Sequence, residues 1–426
     1  MTQLKYFIPE EDPFNCKIQD KKELINVFSE FQKPKNSFLI GVEHERFIVE
    51  VKSLRPIGFF GMRGMENFLK QLKKELYLNS LRHYQYVIES NRIIGLQGNN
   101  NAIALEPGGQ LELSGQAFIS VNEIYKEMLF FDIAVSNVCK KLGFKSLFLG
   151  YHPSAKINNF AMVPKNRYKI MKNFLSESKS LDMMLRTCSL QINIDYDSEN
   201  SFIEHYRLSL LLLPVIVFLC NNSNFIENIN RGYFSRRLFV WRNVDYNRCG
   251  IPKFVFNDDF SYEKYIDNVI KVPMMFLVKK NKYIQMPKMT FSEYMYKGFN
   301  GNVATIRDFI NHLSGVFWEV RAKPQIEIRS ADVGSISINC ALAAFIKGLI
   351  YNKLKHKRLK FIFNSIMPDN VESLYLFSFT KNSTLFSDDF LINIVYECLN
   401  VSKEFLEKTK EAHFLEPFFK KIDLLL

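Results

Sequence analysis

Four separated stretches of this chain alternate polar and apolar residues one by one, and that pattern restricts the fold more than any other feature. In ALEPGGQLELSG, residues 104–115, Gln110, Glu112 and Ser114 fall on one side and Leu111 and Leu113 on the other, because strand side chains alternate with period two. SFLIGVEHERFIVEV (37–51) is rich in β-branched and aromatic residues and sets Glu43 and Glu45 on one face, about 7 Å apart along the strand. SLQINIDYD (189–197) puts Ser189, Gln191, Asn193 and Asp195 opposite Leu190, Ile192, Ile194 and Tyr196, and PQIEIRSAD (324–332) puts Glu327 and Arg329 opposite Ile326 and Ile328. One such strand is an ordinary strand with a wet face. Four of them, each presenting carboxylates, amides or a guanidinium, describe a sheet with one face suited to charged ligands.

Helical spacing fills the intervals at 21–32, 64–78 and 119–142. The apolar run LSLLLLPVIVFLC (208–220) reads as a buried helix kinked at Pro214, too short to span a bilayer. The fold class is therefore α+β with a largely antiparallel sheet. A chain of 426 residues that is 47% hydrophobic, with 40 Phe and 19 Tyr, is folded rather than disordered. Seven scattered Cys with no CxxC pair imply free thiols in a reducing compartment. The N-terminus lacks a signal or transit pattern, so the cytoplasm is the expected location and no membrane partner is expected. The net charge of +12 invites a nucleic-acid reading, but the lysines are spread out and the one dense run, NKLKHKRLK (352–360), reads as the solvated face of a helix. A basic enzyme that gathers anionic substrates fits that balance, and no nucleic-acid partner is expected.

The chemistry follows from the polar faces. Glu43 and Glu45, joined by Glu106, Glu112 and Glu327, form a set of hard oxygen ligands that suits Mg²⁺ held together with substrate phosphates. No Walker A, GxGxxG or kinase catalytic-loop motif is present, so a nucleotide would bind on this carboxylate-lined sheet instead. Arg167, Arg186, Arg236 and Arg237 supply guanidinium groups, which grip carboxylates and phosphates with two parallel bonds. If the stretch around Ser235 is extended, Arg236 and Arg237 point to opposite sides and only one can face the sheet.

The stretches IGVEHERF, LEPGGQLELSG, DMMLRTCSLQINIDY, NDDFSYEKYID, KYIQMPKMTF and IEIRSAD resemble, in order and spacing, the plant and proteobacterial type of glutamate-cysteine ligase. The resemblance runs from about residue 35 to about 352. It implies a glutamine-synthetase-like catalytic fold, in which a curved, mainly antiparallel sheet of about six strands forms a cradle with helices packed outside. It implies one catalytic domain over 1–426, with an extension at 1–35, a core at 36–352 and a divergent helical segment at 353–426. The implied reaction uses ATP to phosphorylate the γ-carboxylate of L-glutamate; the amine of L-cysteine then displaces phosphate to give γ-glutamylcysteine, the first step of glutathione synthesis.

Carried over residue by residue, the resemblance makes Glu43, Glu45, Glu106, Glu112 and Glu327 ligands of Mg²⁺, with Mn²⁺ as an alternative. Arg167, Arg186 and Arg237 bind substrate, and Gln191, Asn193 and Arg329 face ATP. The residues expected to matter most for turnover are Arg167, Arg237, Glu45 and Glu327. The chain has Asn166-Arg167-Tyr168 where the family has GRY, and Met286 where plant members carry a hairpin cysteine, so a redox switch through that hairpin is not expected. The rival within the same chemistry is a ligase that activates glutamate but joins it to a different amine. A monomer or weak homodimer is expected.

Overall fold

The computed structural model describes residues 14–80, 83–175, 178–230, 235–280, 282–352, 358–359, 362–363, 368–381 and 385–424. Nine strands form one antiparallel sheet: β1 (Ile40–Glu50), β2 (Gln85–Glu89), β3 (Arg92–Gln97), β4 (Ala102–Leu105), β5 (Leu111–Ser114), β6 (Phe144–Leu147), β7 (Ser189–Ile194), β8 (Val320–Lys323) and β9 (Gln325–Asp332). Their spatial order is β8-β9-β7-β1-β5-β4-β3-β2, and β6 pairs with the far half of β1. The expected cradle of about six strands is thus too small. The β2–β3 hairpin was missed because its alternation is broken by a bulge near Val87; its turn places Ser90 and Asn91 at φ 50 and 60, as a tight two-residue hairpin loop requires.

The alternation read from the sequence becomes a two-faced sheet. Val42, Ile192, Ile326 and Ile328 bury their side chains in the larger of two cores, which also takes up the helices Glu199–Leu211, Leu213–Cys220 and Ile336–Ile350. Ile48, Leu96, Leu111 and Leu113 join a second core beneath the helices Met65–Ser80 and Val121–Leu142. The run around Pro214 is a bent pair, Glu199–Leu211 and Leu213–Cys220 meeting at 49°, with the second helix wholly buried. Among the described residues no single helix is long and apolar enough to cross a membrane, although this bent pair has the length and composition to do so. All seven cysteines are free. Of the basic run at 352–360, residues 353–357 and 360 lie outside the described residues.

The C-terminal segment is fastened to the sheet domain by buried ions. Lys347 and Glu411 pair at 2.5 Å, and Glu411 caps the helix Val121–Leu142 by accepting from Val121 N at 2.7 Å and Ser120 Oγ at 2.9 Å. Lys421 donates to the carbonyls of Phe218 and Leu219, at the end of the bent helix pair, and to Asn221 Oδ1 at 2.8 Å. A cation at a helix C-terminus also complements the helix dipole.

Candidate active site

The polar faces of the central strands line one cavity of about 530 Å³. Register fixes who meets whom. Glu45 lies opposite Glu112, and Glu43 lies between Ser114 and Gln191. Farther along, Asn193 faces Gly41 on one side and Glu327 on the other, and Glu327 faces Arg321 of β8. Opposed residues of antiparallel strands share a face, so the order across the floor is carboxylates, then amides, then guanidinium groups.

The carboxylate end is organised by the hairpin of β4 and β5. Pro107-Gly108-Gly109 closes it, with Gly109 at φ +84 and a Glu106 N–H donating to Gln110 O at 2.8 Å. A Cβ on Gly108 would come within 2.5 Å of Leu185 O, so the turn packs directly on the helix Ser178–Arg186. Glu106 and Glu112 thereby stand near Glu45. Burial first, then the charges of Glu106 and Glu112, push the Glu45 carboxyl up to about 8, although it accepts from Ser189 N at 2.7 Å and Ser189 Oγ at 2.9 Å. Among the described residues no group of three or more His, Cys, Asp or Glu side chains is arranged as it stands to hold a metal ion.

The other end is cationic. Glu327 is fully buried, salt-bridged to Arg321, to Lys323 at 3.4 Å and to Arg329 at 3.2 Å. Burial would raise its carboxyl, but Arg321, Lys323 and Arg329 together hold it well below the usual range. Arg329 Nη1 also donates to Gln191 Oε1 at 2.8 Å, joining the two ends through an amide.

Of the residues expected from the sequence, Glu43, Glu45, Glu106, Glu112, Gln191, Asn193, Arg167 and Arg329 line the cavity. Glu327, expected among the metal ligands, lies beneath it and is paired with Arg321, Lys323 and Arg329. Arg186 is buried beside Asp182 at 3.1 Å and over the Tyr151 ring, behind the cavity wall. Arg237 lies directly behind the lining residues Trp241 and Arg329, donating to Arg329 O at 2.8 Å. The stretch carrying it is not extended. Ser235 caps the helix Arg236–Arg242 through Leu238 N, so the two arginines are helical neighbours; Arg237 turns inward and Arg236 toward Asp182 at 3.8 Å.

Lys165, Arg321, Lys323 and Trp241 are among the cavity residues that were not singled out from the sequence. Lys165 is buried and donates to Leu105 O at 2.7 Å, the carbonyl just before Glu106. Burial pulls its ammonium down to about 8 against the opposing charges of Glu106 and Glu112. Trp241 donates to Thr187 Oγ1 at 3.3 Å and sits against both Arg237 and Arg329. Arg321 and Lys323 did carry a signal, since VRAK alternates with the same period as the four strands already read.

A sheet floor graded from carboxylates to guanidinium groups, with a cavity above it, defines an enzyme that handles anionic substrates. Residues 39–374 match the family described as Glutamate-cysteine ligase family 2 (GCS2), and the chain belongs to that family. It is 34% identical over 403 residues to glutamate–cysteine ligase B, chloroplastic, of Oryza sativa subsp. japonica, covering 93% of this chain and 79% of the relative. The chloroplastic glutamate–cysteine ligase of Arabidopsis thaliana is likewise 34% identical over 403 residues, covering 93% of this chain and 76% of that protein. Among solved structures, glutamate–cysteine ligase of Francisella tularensis in complex with AMP superposes with a TM-score of 0.54 at 14% identity, over 92% of this chain and 82% of that one.

Proposed function

We propose that the protein uses ATP to join the γ-carboxylate of L-glutamate to the amine of L-cysteine, giving γ-glutamylcysteine, ADP and phosphate. Family membership supports the reaction, and the graded cleft floor is the observation that carries the assignment of roles.

The carboxylate end fits a divalent cation. A buried carboxyl that its anionic neighbours drive toward protonation, as Glu106 and Glu112 drive Glu45, is relieved by a positive charge. Glu43, Glu45, Glu106 and Glu112 would hold Mg²⁺, or Mn²⁺ in its place, in an open site completed by substrate oxygens and water rather than in a closed cage. When bound, the ion neutralises charge on the transferring phosphoryl oxygens.

The protein's own residues supply the rest. Arg329, held by Gln191 and Glu327, offers a fixed guanidinium to the phosphates, with Arg321 behind it. Asn193, donating to Glu43 Oε1 at 3.2 Å, bridges the carboxylate and cationic zones. Arg167 in the cavity wall and Arg237 behind Trp241 hold amino-acid carboxylates, and Glu327 keeps the cation group in place. Groups fixed before substrate arrives need little rearrangement as charge develops, and this is where such sites gain most of their rate.

The test measures ADP release with glutamate alone and then with cysteine, confirming the product by mass. Cysteine-dependent ADP release with formation of the dipeptide is expected. Equal rates with alanine and cysteine would overturn the acceptor assignment, and failure to bind Mg-ATP at millimolar concentration would overturn the reading as a ligase.

A further inference from the structure

Strand β9 does not keep its alternation to the end. Its register against β7 shifts between Ile328 and Ala331, after which Ala331 pairs with Leu190 and Asp332 with Ser189. Without that bulge Ala331 would follow Glu327 and Arg329 on the cleft face. With it, Asp332 takes that face beside Ser189, and such bulges commonly re-aim a side chain next to a site.

The re-aimed carboxylate is buried and fully used. Asp332 Oδ2 accepts from Ser223 Oγ at 2.5 Å and from Asn222 N at 2.9 Å, and Oδ1 accepts from Ser235 Oγ at 3.0 Å. By taking both hydroxyl protons it turns the serine lone pairs toward the helix Arg236–Arg242. Ser223 Oγ then accepts from Arg237 N at 3.2 Å and Ser235 Oγ from Leu238 N at 3.3 Å. The carboxylate lies flat against Gly150, where a Cβ would come within 2.4 Å of Asp332 Cγ. Its distance to Arg237 Nη1 is 3.9 Å.

Arg237 itself has one firm protein bond from its guanidinium, Nη2 to Arg329 O. Its Nε and Nη1 are buried and have no hydrogen-bond partner among the described residues. Unpaired buried guanidinium N–H groups are costly, and an anion is what satisfies them. Two elements therefore meet at Asp332: the strand carrying Glu327 and Arg329, and the helix carrying Arg237 and Trp241.

We propose that Asp332 is a positioning residue of the active site: it keys the N-terminus of the Arg236–Arg242 helix to the end of β9 and so aims the unpartnered N–H groups of Arg237 at the substrate carboxylate. This rests on the reading of Arg237 as a substrate arginine. The loop that clamps Asp332 is in turn tied to the C-terminal helix, because Lys421 holds Asn221, the residue before Asn222.

The test compares Asp332→Asn, Arg237→Lys and the double variant by steady-state kinetics in glutamate, cysteine and ATP, alongside a thermal melt. Arg237→Lys should raise the KM of one amino-acid substrate about tenfold, in line with losing a bidentate charge-assisted bond. Asp332→Asn should raise the same KM by about five- to tenfold, with the KM of ATP within about twofold of wild type. Because both changes disable one device, the double variant should be no worse than about twofold beyond the weaker single variant, instead of showing the product of the two effects. Independent, multiplying effects, or an Asp332→Asn enzyme that loses kcat and stability with every KM unchanged, would overturn the proposal and leave Asp332 a structural residue. If Arg237→Lys changes no KM, it is the substrate-arginine reading that fails. Should Asp332→Asn not fold, Ser235→Ala removes one of its links. A rise of about two- to fivefold in the same KM would then support the proposal, and an unchanged KM would overturn it.

Discussion

Glu45 and Glu327 sit on strands of one sheet, belong to the same cleft floor and are both buried, yet their surroundings drive them in opposite directions. Burial raises both carboxyls; at Glu45 the charges of Glu106 and Glu112 add to it, outweighing Arg237, and push it up to about 8, whereas at Glu327 the charges of Arg321, Lys323 and Arg329 overcome it and hold the carboxyl well below the usual range. That difference is why we propose that the Glu45 end, and not the Glu327 end, takes up a cation from outside. A buried anion among cations is complete as it stands, whereas buried anions facing each other form a site that is unfinished without a cation. A run of acidic residues in a sequence therefore does not define a metal bed, because the neighbours decide.

The sharpest way to break this comparison is Glu327→Gln. It leaves the buried Arg321 and the part-buried Lys323 and Arg329 without their shared anion, and removing one partner of a buried ionic group costs about 3–5 kcal/mol. Chemical denaturation should show a loss of that order, whatever happens to turnover. A variant as stable as wild type would mean that the cationic end does not depend on Glu327.

Glu45→Gln should behave in the opposite way. Turnover should fall about a hundredfold, the scale of losing a main electrostatic stabiliser. The metal-free protein should melt at the same temperature as wild type or higher, because a repulsive carboxylate has been replaced by a neutral isostere. A strongly destabilised Glu45→Gln protein with near-normal turnover would reverse the assignment of the two ends.

The same contrast predicts a smaller, ligand-only effect. Mg²⁺ or Mn²⁺ without nucleotide should stabilise the wild-type protein, by about 1.4 kcal/mol at ten times its Kd. The gain should shrink or vanish in Glu45→Gln. Equal stabilisation of both proteins would place the ion elsewhere.

What could be read in advance divides along physical lines. The period-two pattern disclosed β1, β5, β7 and β9 and the faces of their residues, because one buried face fixes register. The break at Pro214 was legible separately, from a proline inside an apolar run. The alternation did not disclose that Glu327 is surrounded by cations, because that needs the short stretch VRAK to be paired with β9 across the tight connection at Pro324, which sets Arg321 opposite Glu327. The bulge that re-aims Asp332 depends on how β9 meets β7, and the capping of Arg236–Arg242 by Ser235 overrode the extended reading, although serine before a helix is a recognised start signal. Lys165 left no trace at all, as a lone lysine in a loop is ordinarily solvated.

The smallest expected effect concerns Cys188, on the far side of the same floor. It precedes Ser189, whose backbone and hydroxyl hold Glu45, but its own side chain points into the apolar core and is fully buried. Burial first, then the charge of Glu45, raises its thiol well above the ordinary value, so it carries no thiolate at neutral pH. Cys188→Ala removes one buried sulfur, for which a loss of about 1 kcal/mol is typical, and leaves the cleft face of β7 untouched. Stability should drop by that amount while kcat and every KM stay within about twofold of wild type. Mild oxidants should affect the two proteins alike. If oxidation switches the wild-type enzyme reversibly and the variant no longer responds, Cys188 is reached by reagents through the sheet, and the separation of a reactive front face from an inert back face fails at this strand.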